Sequence, residues 1–599
     1  MLLRALAVVP VSAALLAGAL VGLPAHGSDA PPAPAGLGSD SPVTLTVVLP
    51  YHRPALHAAV RAVSTPGSPT FRQFPSLAEA AARHGASPQS RARLEAWAAD
   101  HGMSRVRFDA TGLTARVTGP ARAWTKVYGQ EFVAMAGIPA PNVTSYAIMA
   151  PGGKTIAAPL PKALRGIAQA VLPVYNVVKD SASTRSGIPE NEGSPTGPGM
   201  ECITPAPSGQ SLAPLVYAPR QLHKAYGTSA LHRDGLRGKG ARLAILGYGQ
   251  SFNPGLLAKA ADCFEFTAPR VKVTGGSGMP DSPIPGSGAG SIESNLDVQT
   301  AAAVLPGAGR IDFVEVAAGG SVVAPIIDGI TTALAKVGPD VITVSYGFCV
   351  PLVKSTGDWA YTPYADDAFA MAALVGTSVL IASGDSGSSG CLHDDQWPTA
   401  TLKASWPAAS PWVTAVGGTR IVLGKGNTRV NEVVWNDTTW NPQSVGAGSG
   451  GPTPFGRPWY QASVTTSDRR VIPDISAHAS GVPGWPVALT PAEFAAINGY
   501  DLPPGATWGM GPVGGTSATT PFTAANVALI ASRHGRLGLL NPWLYSLAGG
   551  ADYRTAFYDV REGTNQVNAK PACCRAVKGY DAATGLGSPN FDAWLRLAR

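Results

Sequence analysis

Two patterns of apolar and polar residues divide the chain. In the first part, VTLTVVLP (43–50) alternates like a β-strand, and RVRFDATGLTARVTG (105–119) is typical of a hairpin that turns at 110–112. Helical periodicity is predicted at about 54–63, 76–84 and 88–101, and a short helix follows Pro120. These elements predict a compact α+β domain over residues 43–172.

From about residue 212 onward, buried strands alternate with helices. The strand candidates are apolar runs that end in small residues: RLAILGYG (242–249), IDFVEVA (311–317), DVITVSYG (340–347) and SVLIASG (378–384). Helices are predicted between them at about 254–263, 291–304, 325–337 and 364–375. This alternation predicts an α/β fold with a doubly wound parallel sheet and helices on both faces. Such sheets place their chemistry beyond the carboxyl ends of the strands, where Ser345 and Asp385 fall.

Two further segments are predicted to lie outside the folded parts. Residues 173–211 are rich in Ser, Gly and Pro, which predicts an exposed linker that is open to proteolysis. Residues 1–27 have one Arg, an apolar core and small residues near the end, the layout of a secretory signal peptide. An uncleaved membrane anchor is the alternative for that segment. No later apolar run is long enough to span a bilayer.

Charge is distributed unevenly along the chain. The formal net charge of +7 conceals 14 Lys and Arg against 5 Asp and Glu in residues 43–172, or +9. Residues 212–599 hold 28 against 27, or +1. The basic residues form neither a run nor a patch interleaved with aromatics, so we expect no nucleic-acid partner.

The six cysteines fit an oxidising compartment. Spacing does not fix their connectivity. Cys349 could pair with Cys391 and Cys202 with Cys263, whereas Cys573 and Cys574 are adjacent in the chain.

The segment GGTSATTP (514–521) contains a candidate nucleophile, Ser517. An apolar-periodic helix follows it, and Pro521 is tolerated in the first turn because N–H groups there lack intrahelical partners. The positive end of the helix dipole favours negative charge in a transition state. The alternative is an ordinary helix cap, for which Ser is a preferred residue.

A serine nucleophile requires a base, which is usually histidine. No histidine after residue 212 lies in the His-Gly-Thr setting expected of a subtilisin-type base. In SIESNLDVQT (291–300), however, Glu293 and Asp297 are four residues apart and would share one helix face. Two neighbouring carboxylates repel, so one of them titrates at a higher pH, which suits a general base. A solvated acidic face is the alternative.

Three other aspartates are candidates for chemistry. Asp385 in ASGDSGSSG follows a buried strand and, if it stays protonated, could donate a hydrogen bond to an oxyanion. An Asx-turn is the alternative. Asp559 and Asp581 could bind a hard cation together with main-chain carbonyls, and oxygen-only ligands suit calcium. Ordinary turn aspartates are the alternative for this second pair.

Taken in order, these motifs resemble the sedolisin (kumamolisin-like) family of serine-carboxyl peptidases. The family signature is Gly-Thr-Ser followed by a small residue, a variable residue and Pro, and residues 515–521 fit it. The resemblance extends over nearly the whole chain after the signal peptide. Further stretches support it: SYG (345–347), SGD (383–385), AVGGT (415–419), PDISA (473–477) and TGLGSP (584–589).

The resemblance implies a role for each matched position. Ser517 would attack the scissile carbonyl, and Glu293 would take its proton and later protonate the leaving amine. Asp297 would orient Glu293. Asp385 and the backbone N–H of Ser517 would hold the oxyanion.

The resemblance also implies an architecture. Residues 212–599 would have a subtilisin-like core, and residues 43–172 would be a ferredoxin-like activation prodomain that inhibits the enzyme. One structural Ca²⁺ would be bound by Asp559 and Asp581 and by main-chain oxygens of Val560, Val577 and Gly579.

The sequence therefore predicts a secreted, monomeric, acid-active endopeptidase that is made as a zymogen and cleaves protein or peptide substrates. After signal removal we expect no stable membrane association. A basic prodomain over a carboxylate-lined cleft would loosen when acid protonates those carboxylates, and cleavage within 173–211 would release the enzyme. The alternatives are a tripeptidyl-peptidase of the same family, a neutral Ser-His-Asp subtilase and a catalytically inactive binding protein.

Overall fold

The structure is a computed structural model. Its description covers residues 35–36, 38–130, 132–135, 145–148, 160–172, 202–203, 216–249, 251–276, 291–316, 321–355, 357–389, 404–439, 446–567 and 573–598. The predicted signal peptide and nearly all of the predicted linker lie outside these ranges. Within them, no helix combines the length and apolar character needed to cross a membrane.

The N-terminal part is a four-stranded antiparallel sheet with helices packed on it. The strands are β2 Pro42–Val48, β3 Arg105–Phe108, β4 Thr114–Pro120 and β7 Ala170–Leu172, in the order β3–β4–β2–β7. The helices are α1 Arg53–Ser64, α2 Leu77–His84, α3 Pro88–Asp100 and α4 Ala121–Tyr128. A small separate sheet contains β1 Ala35–Gly36, β5 Phe132–Met135 and β6 Ser145–Ile148. The predicted helices and hairpin are confirmed.

Local sequence explains where these helices begin. Ser76 and Ser87 cap α2 and α3 by accepting backbone N–H groups with their side chains, and Pro88 occupies the first position of α3. The domain encloses its own apolar cluster, in which Trp97 and Trp124 are the largest side chains.

The C-terminal part contains an eight-stranded sheet in which every pairing but one is parallel. Its strands are β8 Leu243–Tyr248, β9 Val271–Gly275, β10 Ile311–Val316, β11 Val341–Val344, β13 Ser378–Ala382, β15 Thr414–Leu423, β16 Arg429–Val434 and β19 Ile475–His478. The order is β16–β15–β13–β11–β8–β10–β9, β19 also pairs with β15, and only β16 is antiparallel. All four predicted strands are confirmed in this doubly wound sheet.

Helices and short hairpins surround this sheet. The helices are α5 Pro219–Ala225, α6 Thr228–Arg233, α7 Pro254–Cys263, α8 Ser291–Val304, α9 Ala324–Thr332, α10 Val350–Ser355, α11 Thr362–Leu374, α12 Pro491–Asn498, α13 Thr516–His534, α14 Asn541–Ala548, α15 Tyr553–Ala556 and α16 Phe591–Leu597. The short strands are β12 Phe348–Cys349, β14 Ser405–Trp406, β17 Gly451–Gly456, β18 Arg469–Ile472, β20 Trp485–Leu489, β21 Gly509–Val513, β22 Phe557–Tyr558 and β23 Ser588–Pro589. The predicted helices 254–263 and 291–304 have the predicted bounds.

Helix α13 is buried along nearly its whole length. Every residue from Thr516 to Ala531 is buried, because the helix packs against α8 on one side and against β11, β13 and β15 on the other. A helix enclosed on all sides needs small or apolar side chains, and most of this segment is Ala, Thr and Val. The packing brings the first turn of α13 close to α8 and to the ends of β11 and β13.

The two parts are joined by a continuous apolar core and a cluster of polar contacts. Leu56, Val60 and Val63 of α1 belong to the same buried cluster as Phe369 of α11. Beside them, Asp367 is fully buried and accepts hydrogen bonds from three side chains of the N-terminal part, which form with it the Asp367 cluster: Tyr51, Arg53 at 2.6 Å and His57 at 2.8 Å.

One of the two candidate cysteine pairs is confirmed, and the structure adds a bond that the sequence analysis does not predict. Cys202 and Cys263 are joined with their Cα atoms 5.8 Å apart, and Cys573 is joined to its neighbour Cys574. The proposed partner of Cys349, Cys391, lies outside the described residues.

Candidate active site

Glu293 and Asp297 lie on α8, and both side chains are buried. Each residue is only 1% exposed, so the alternative of a solvated acidic face is wrong. The four-residue spacing places both carboxylates near the start of α13, as the helical pattern predicts. A carboxylate pair in this position can exchange a proton with a neighbouring hydroxyl.

Ser517 is the second residue of α13 and is fully buried. The cap position belongs to Gly515, whose φ of 119° favours glycine, so the alternative of a Ser517 helix cap is wrong. The Ser517 hydroxyl donates to the main-chain oxygen of Ser345 at 3.4 Å, which is long for an O–H···O bond. The carboxylate of Glu293 lies near this hydroxyl, because the Ser517 side chain lowers the pKa of Glu293.

Burial raises the pKa of Glu293 well above its usual range, and the neighbouring charge of Asp297 raises it further. Hydrogen bonds from the Ser517 and Ser345 hydroxyls act in the opposite direction. Burial also raises the pKa of Asp297. Since both carboxyl groups resist ionisation, the pair retains a proton at a pH at which exposed carboxylates are ionised. Oε1 of Glu293 accepts no hydrogen bond from the described residues.

Ser345 connects the carboxylate pair to helix α13, which carries the candidate nucleophile Ser517. Its hydroxyl lies 2.7 Å from Oδ1 of Asp297 and 3.3 Å from the main-chain oxygen of Ser517, and donates toward both. The residue directly follows β11 and is 2% exposed. Its position at a carboxyl strand end agrees with the predicted location of the chemistry.

Asp385 follows β13 and lies against the turn that precedes Ser517. Its Oδ1 accepts the backbone N–H of Thr516 at 2.8 Å and the Thr516 hydroxyl at 2.7 Å. A Cβ at Gly515 would lie 2.8 Å from Oδ2, so glycine permits the carboxyl group to approach this closely. Burial raises the pKa of Asp385 to about 6, although the Thr516 hydrogen bonds oppose the shift.

The histidines of the C-terminal part occupy other environments. Burial lowers the pKa of His223 and of His478 to about 3, which keeps both rings neutral. His232 and His534 bind main-chain oxygens of Val304 and Leu595, and His393 lies outside the described residues. No histidine in the described ranges forms a hydrogen bond with Ser517. The geometry therefore does not support the alternative of a neutral Ser-His-Asp subtilase.

The proposed calcium ligands lie together in the C-terminal loops but do not form a ready-made metal cage. Oδ1 of Asp559 accepts the N–H of Gly579 at 2.8 Å, and Oδ2 of Asp581 accepts the N–H of Val577 at 3.2 Å. Arg561 pairs with Oδ2 of Asp559 at 2.6 Å. The described residues contain no group of three or more His, Cys, Asp or Glu that could hold a metal ion.

The sequence analysis does not identify Thr516 as a partner of Asp385, or Asp367 as a partner of the N-terminal part. Thr516 lies inside the Gly-Thr-Ser motif, yet nothing in that pattern indicates that its hydroxyl binds Asp385, 131 residues away. Asp367 lies beside Asp366 on α11, a buried helix whose remaining side chains are mostly apolar. A charged residue on a buried helix surface is the signal that could have identified it, because such a charge requires a partner.

Comparison with known proteins adds independent similarities. Residues 35–176 match the family described as "Pro-kumamolisin, activation domain". The chain is 30% identical over 524 residues to kumamolisin from Bacillus sp. (strain MN-32). The aligned region covers 85% of this chain and 83% of that protein. It is 29% identical over 265 residues to tripeptidyl-peptidase 1 of Dictyostelium discoideum, covering 43% of this chain and 39% of that protein. Among solved structures, Pseudomonas sedolisin, a serine-carboxyl proteinase complexed with two molecules of pseudo-iodotyrostatin, matches 64% of this chain and 98% of its own at a TM-score of 0.54 and 23% identity.

Proposed function

The chain belongs to the sedolisin (kumamolisin-like) family of serine-carboxyl peptidases, and we propose that it is a secreted, acid-active endopeptidase with Ser517 as nucleophile and Glu293 as general base. Its N-terminal part is an activation prodomain, and the enzyme is a serine-type peptidase. The observation that carries the proposal is the placement of a buried hydroxyl beside a buried carboxylate pair, in a site that none of the described histidines enters.

In the proposed mechanism, the Ser517 hydroxyl attacks the scissile carbonyl while Glu293 takes its proton. The raised pKa of Glu293 favours this transfer, because a base works best when its pKa lies near the working pH. Glu293 then protonates the leaving amine. Water attacks the acyl-enzyme with Glu293 again acting as base, and Asp297 keeps Glu293 oriented throughout.

Asp385 and the backbone N–H of Ser517 would stabilise the oxyanion of the tetrahedral intermediate. A carboxyl group can donate a hydrogen bond only when it is protonated, and the pKa of Asp385 is about 6. Below that pH the group is a donor, and above it the group is an anion that repels the oxyanion. We therefore expect activity in acid and a decline as the pH rises through about 6.

Secretion is proposed from the signal-peptide layout of residues 1–27 and from disulfide bonds that suit an oxidising compartment. The substrates would be proteins or peptides, and the mature enzyme would act as a monomer. These assignments agree with a zymogen that is processed within residues 173–211 after export.

A tripeptidyl-peptidase activity is the second candidate, because relatives carrying that name match 43% of this chain. The two activities are separated by digesting a denatured protein at acid pH and identifying the products by mass spectrometry. Internal fragments would support an endopeptidase. Successive tripeptides released from the N-terminus would replace it with the second candidate.

We also propose one structural Ca²⁺ in the C-terminal loops. Asp559 and Asp581 supply two carboxylates that converge on the segment 577–579, and main-chain oxygens of Val560, Val577 and Gly579 would complete an oxygen ligand set. This donor chemistry fits calcium. Arg561, whose side chain is about half exposed, would be displaced from Asp559 by the ion. The ion would brace these loops.

The catalytic assignment is tested with Ser517→Ala and Glu293→Gln. Each variant should lower kcat/KM by about 10³-fold or more, because the nucleophile and its base act as a unit. Each precursor should also remain unprocessed in acid. The matched control is Glu493→Gln, a buried glutamate with a raised pKa that binds Asn295, and it should retain activity. Full activity in Glu293→Gln, with Ser517→Ala inactive, would place the base elsewhere.

A further inference from the structure

Ser345 is bonded in both directions to the residue proposed as nucleophile. Its hydroxyl donates toward the main-chain oxygen of Ser517 at 3.3 Å, and its own main-chain oxygen accepts the Ser517 hydroxyl at 3.4 Å. The same hydroxyl donates to Asp297 at 2.7 Å. The carboxylate pair on α8 and the first turn of α13 are thus both connected to one residue at the end of β11.

We propose that Ser345 is a positioning residue for the reaction, one that holds Asp297 and the main chain of Ser517 at a fixed separation so that Glu293 faces the Ser517 hydroxyl. This inference rests on the proposed function, because it assigns Ser345 a task only if Glu293 is the base. It gives the Ser345 hydroxyl a role in turnover, beyond filling space at the end of a strand.

The geometry supports positioning in preference to proton transfer. A hydroxyl has a single proton, and the shorter bond, to Asp297, makes that carboxylate the main acceptor. Donation to Asp297 stabilises its negative charge at the moment when Glu293 becomes protonated. The weaker contact with the Ser517 carbonyl fixes the first turn of α13 relative to that carboxylate.

Other titratable groups surround the carboxylate pair. Asp385 approaches from the end of β13 and raises the pKa of Glu293 by its charge. Tyr346 follows Ser345 and is partly buried with its hydroxyl enclosed, and its pKa is raised by this burial and by the charges of Glu293 and Asp297. The nearby Ser517 and Ser345 hydroxyls act in the opposite direction and lower the pKa of Glu293.

The test compares Ser345→Ala with a matched control on β11, the strand that Ser345 directly follows. Thr343 precedes Ser345 by two residues and therefore lies on the same face of β11; it is fully buried, and its hydroxyl has no hydrogen-bond partner among the described residues. Thr343→Val removes a buried hydroxyl at nearly constant volume. Both variants are expressed as the full-length chain and assayed after acid processing. Thermal unfolding checks that each variant is folded.

For Ser345→Ala we expect kcat to fall about 10- to 100-fold with KM nearly unchanged, since a lost hydrogen bond to a charged group has that effect on rate. The acid limb of the pH–kcat profile should move to higher pH, because a donor that favours the ionised carboxylates has been removed. Thr343→Val should leave kcat and the profile unchanged, and Ser345→Thr, which keeps the hydroxyl, should recover part of kcat.

Three results would overturn the inference. Ser345→Ala could keep the wild-type kcat and pH profile while Glu293→Gln is inactive, which would leave the proposed function intact. Ser345→Ala and Thr343→Val could lose activity equally, together with thermal stability, which would make both effects structural. Activity in Glu293→Gln would instead contradict the proposed function itself.

Discussion

Burial determines the acid–base character of the individual catalytic candidates. The sequence predicts a raised pKa in the Glu293–Asp297 pair from repulsion between like charges. Repulsion does contribute, but burial is the larger cause for Glu293 and the cause of the rise for Asp297. Spacing along one helix reveals that two residues are neighbours, whereas only the complete packing around α8 and α13 excludes water from them.

Asp385 should make the protein's stability depend on pH. Its pKa is about 6 in the folded state against an ordinary value of 3.8, so its contribution is fully present below pH 3.8 and is lost as pH rises through about 6. Asp385→Asn cannot ionise and should therefore lose less stability between pH 4 and pH 7, by on the order of 3 kcal/mol. Thermal unfolding at both pH values, in a Ser517→Ala background that prevents self-digestion, measures the difference.

The matched control for this experiment is Asp501→Asn, because Asp501 is exposed. It should retain the pH dependence of the parent protein. If Asp385→Asn loses as much stability between the two pH values as the parent does, then Asp385 is ionised in the folded protein at pH 4, and its assignment as an oxyanion donor is wrong.

At the scale of helices and strands, periodicity was a good guide wherever an element is long and regular. The bounds of α7 and α8 match the predicted segments, and the apolar runs correctly locate β8, β10, β11 and β13. The pattern did not reveal β9, where VKVTG is short and mixed, or β19, where ISAH contains a buried histidine. These strands exist because neighbouring strands pair with them, and this tertiary effect overrides local preference.

The turn before α13 shows that a sequence motif can indicate the chemistry of a site without revealing how its residues are arranged in space. Gly-Thr-Ser locates the candidate nucleophile, and the glycine at 515 and the Thr516 side chain allow Asp385 to approach it from a different strand end. Asp385 and Ser517 are 132 positions apart in the chain, so only the fold reveals that they are neighbours.

The C-terminal loops should respond to calcium. With EDTA present, the midpoint of thermal unfolding should fall, because an ion that binds only the folded state stabilises it by mass action. Added Ca²⁺ should restore the midpoint, whereas Mg²⁺, which prefers rigid octahedral sites, should restore it poorly. Asp581→Asn should unfold at a lower temperature and should respond to neither EDTA nor Ca²⁺.

Arg561→Gln provides the complementary variant for the calcium loops. The substitution removes the cation that pairs with Asp559 and should increase Ca²⁺ affinity. If neither EDTA nor Ca²⁺ changes the unfolding midpoint of the parent protein, the calcium proposal is wrong. Arg561 and the loop N–H groups would then satisfy the two carboxylates without an ion.

Across the whole molecule, the charge asymmetry of the sequence predicts electrostatic attraction between the two parts, and the structure shows ion pairs between them at Asp367. The sequence predicts that a basic prodomain is held over a carboxylate-lined cleft. In the structure, Arg53 and His57 of the N-terminal part pair with Asp367 on α11, and Arg116 of the same part lies within electrostatic range of Asp328 on α9.

The Asp367 cluster should control release of the prodomain. Asp367→Asn removes the charge that attracts Arg53 and weakens the contact, so its precursor should process itself faster than the parent at a given pH and should begin to do so nearer neutrality. Gel analysis of precursors incubated at a series of pH values measures both effects. The adjacent Asp366→Asn serves as control, because burial raises the pKa of Asp366 to about 7 and the carboxyl group is already protonated in acid. Equal processing in parent and Asp367→Asn would contradict the role of the cluster.

The apolar core shared by α1 and α11 has a consequence for what happens after cleavage. Leu56, Val60 and Val63 belong to the same buried cluster as Phe369, so cutting the linker removes a tether but leaves this interface in place. Before the cut, the prodomain is present at a fixed, high local concentration; after it, occupancy follows the bulk protein concentration. Dilution into the surroundings, or destruction of the detached fragment, then becomes the step at which the peptidase gains access to its substrates.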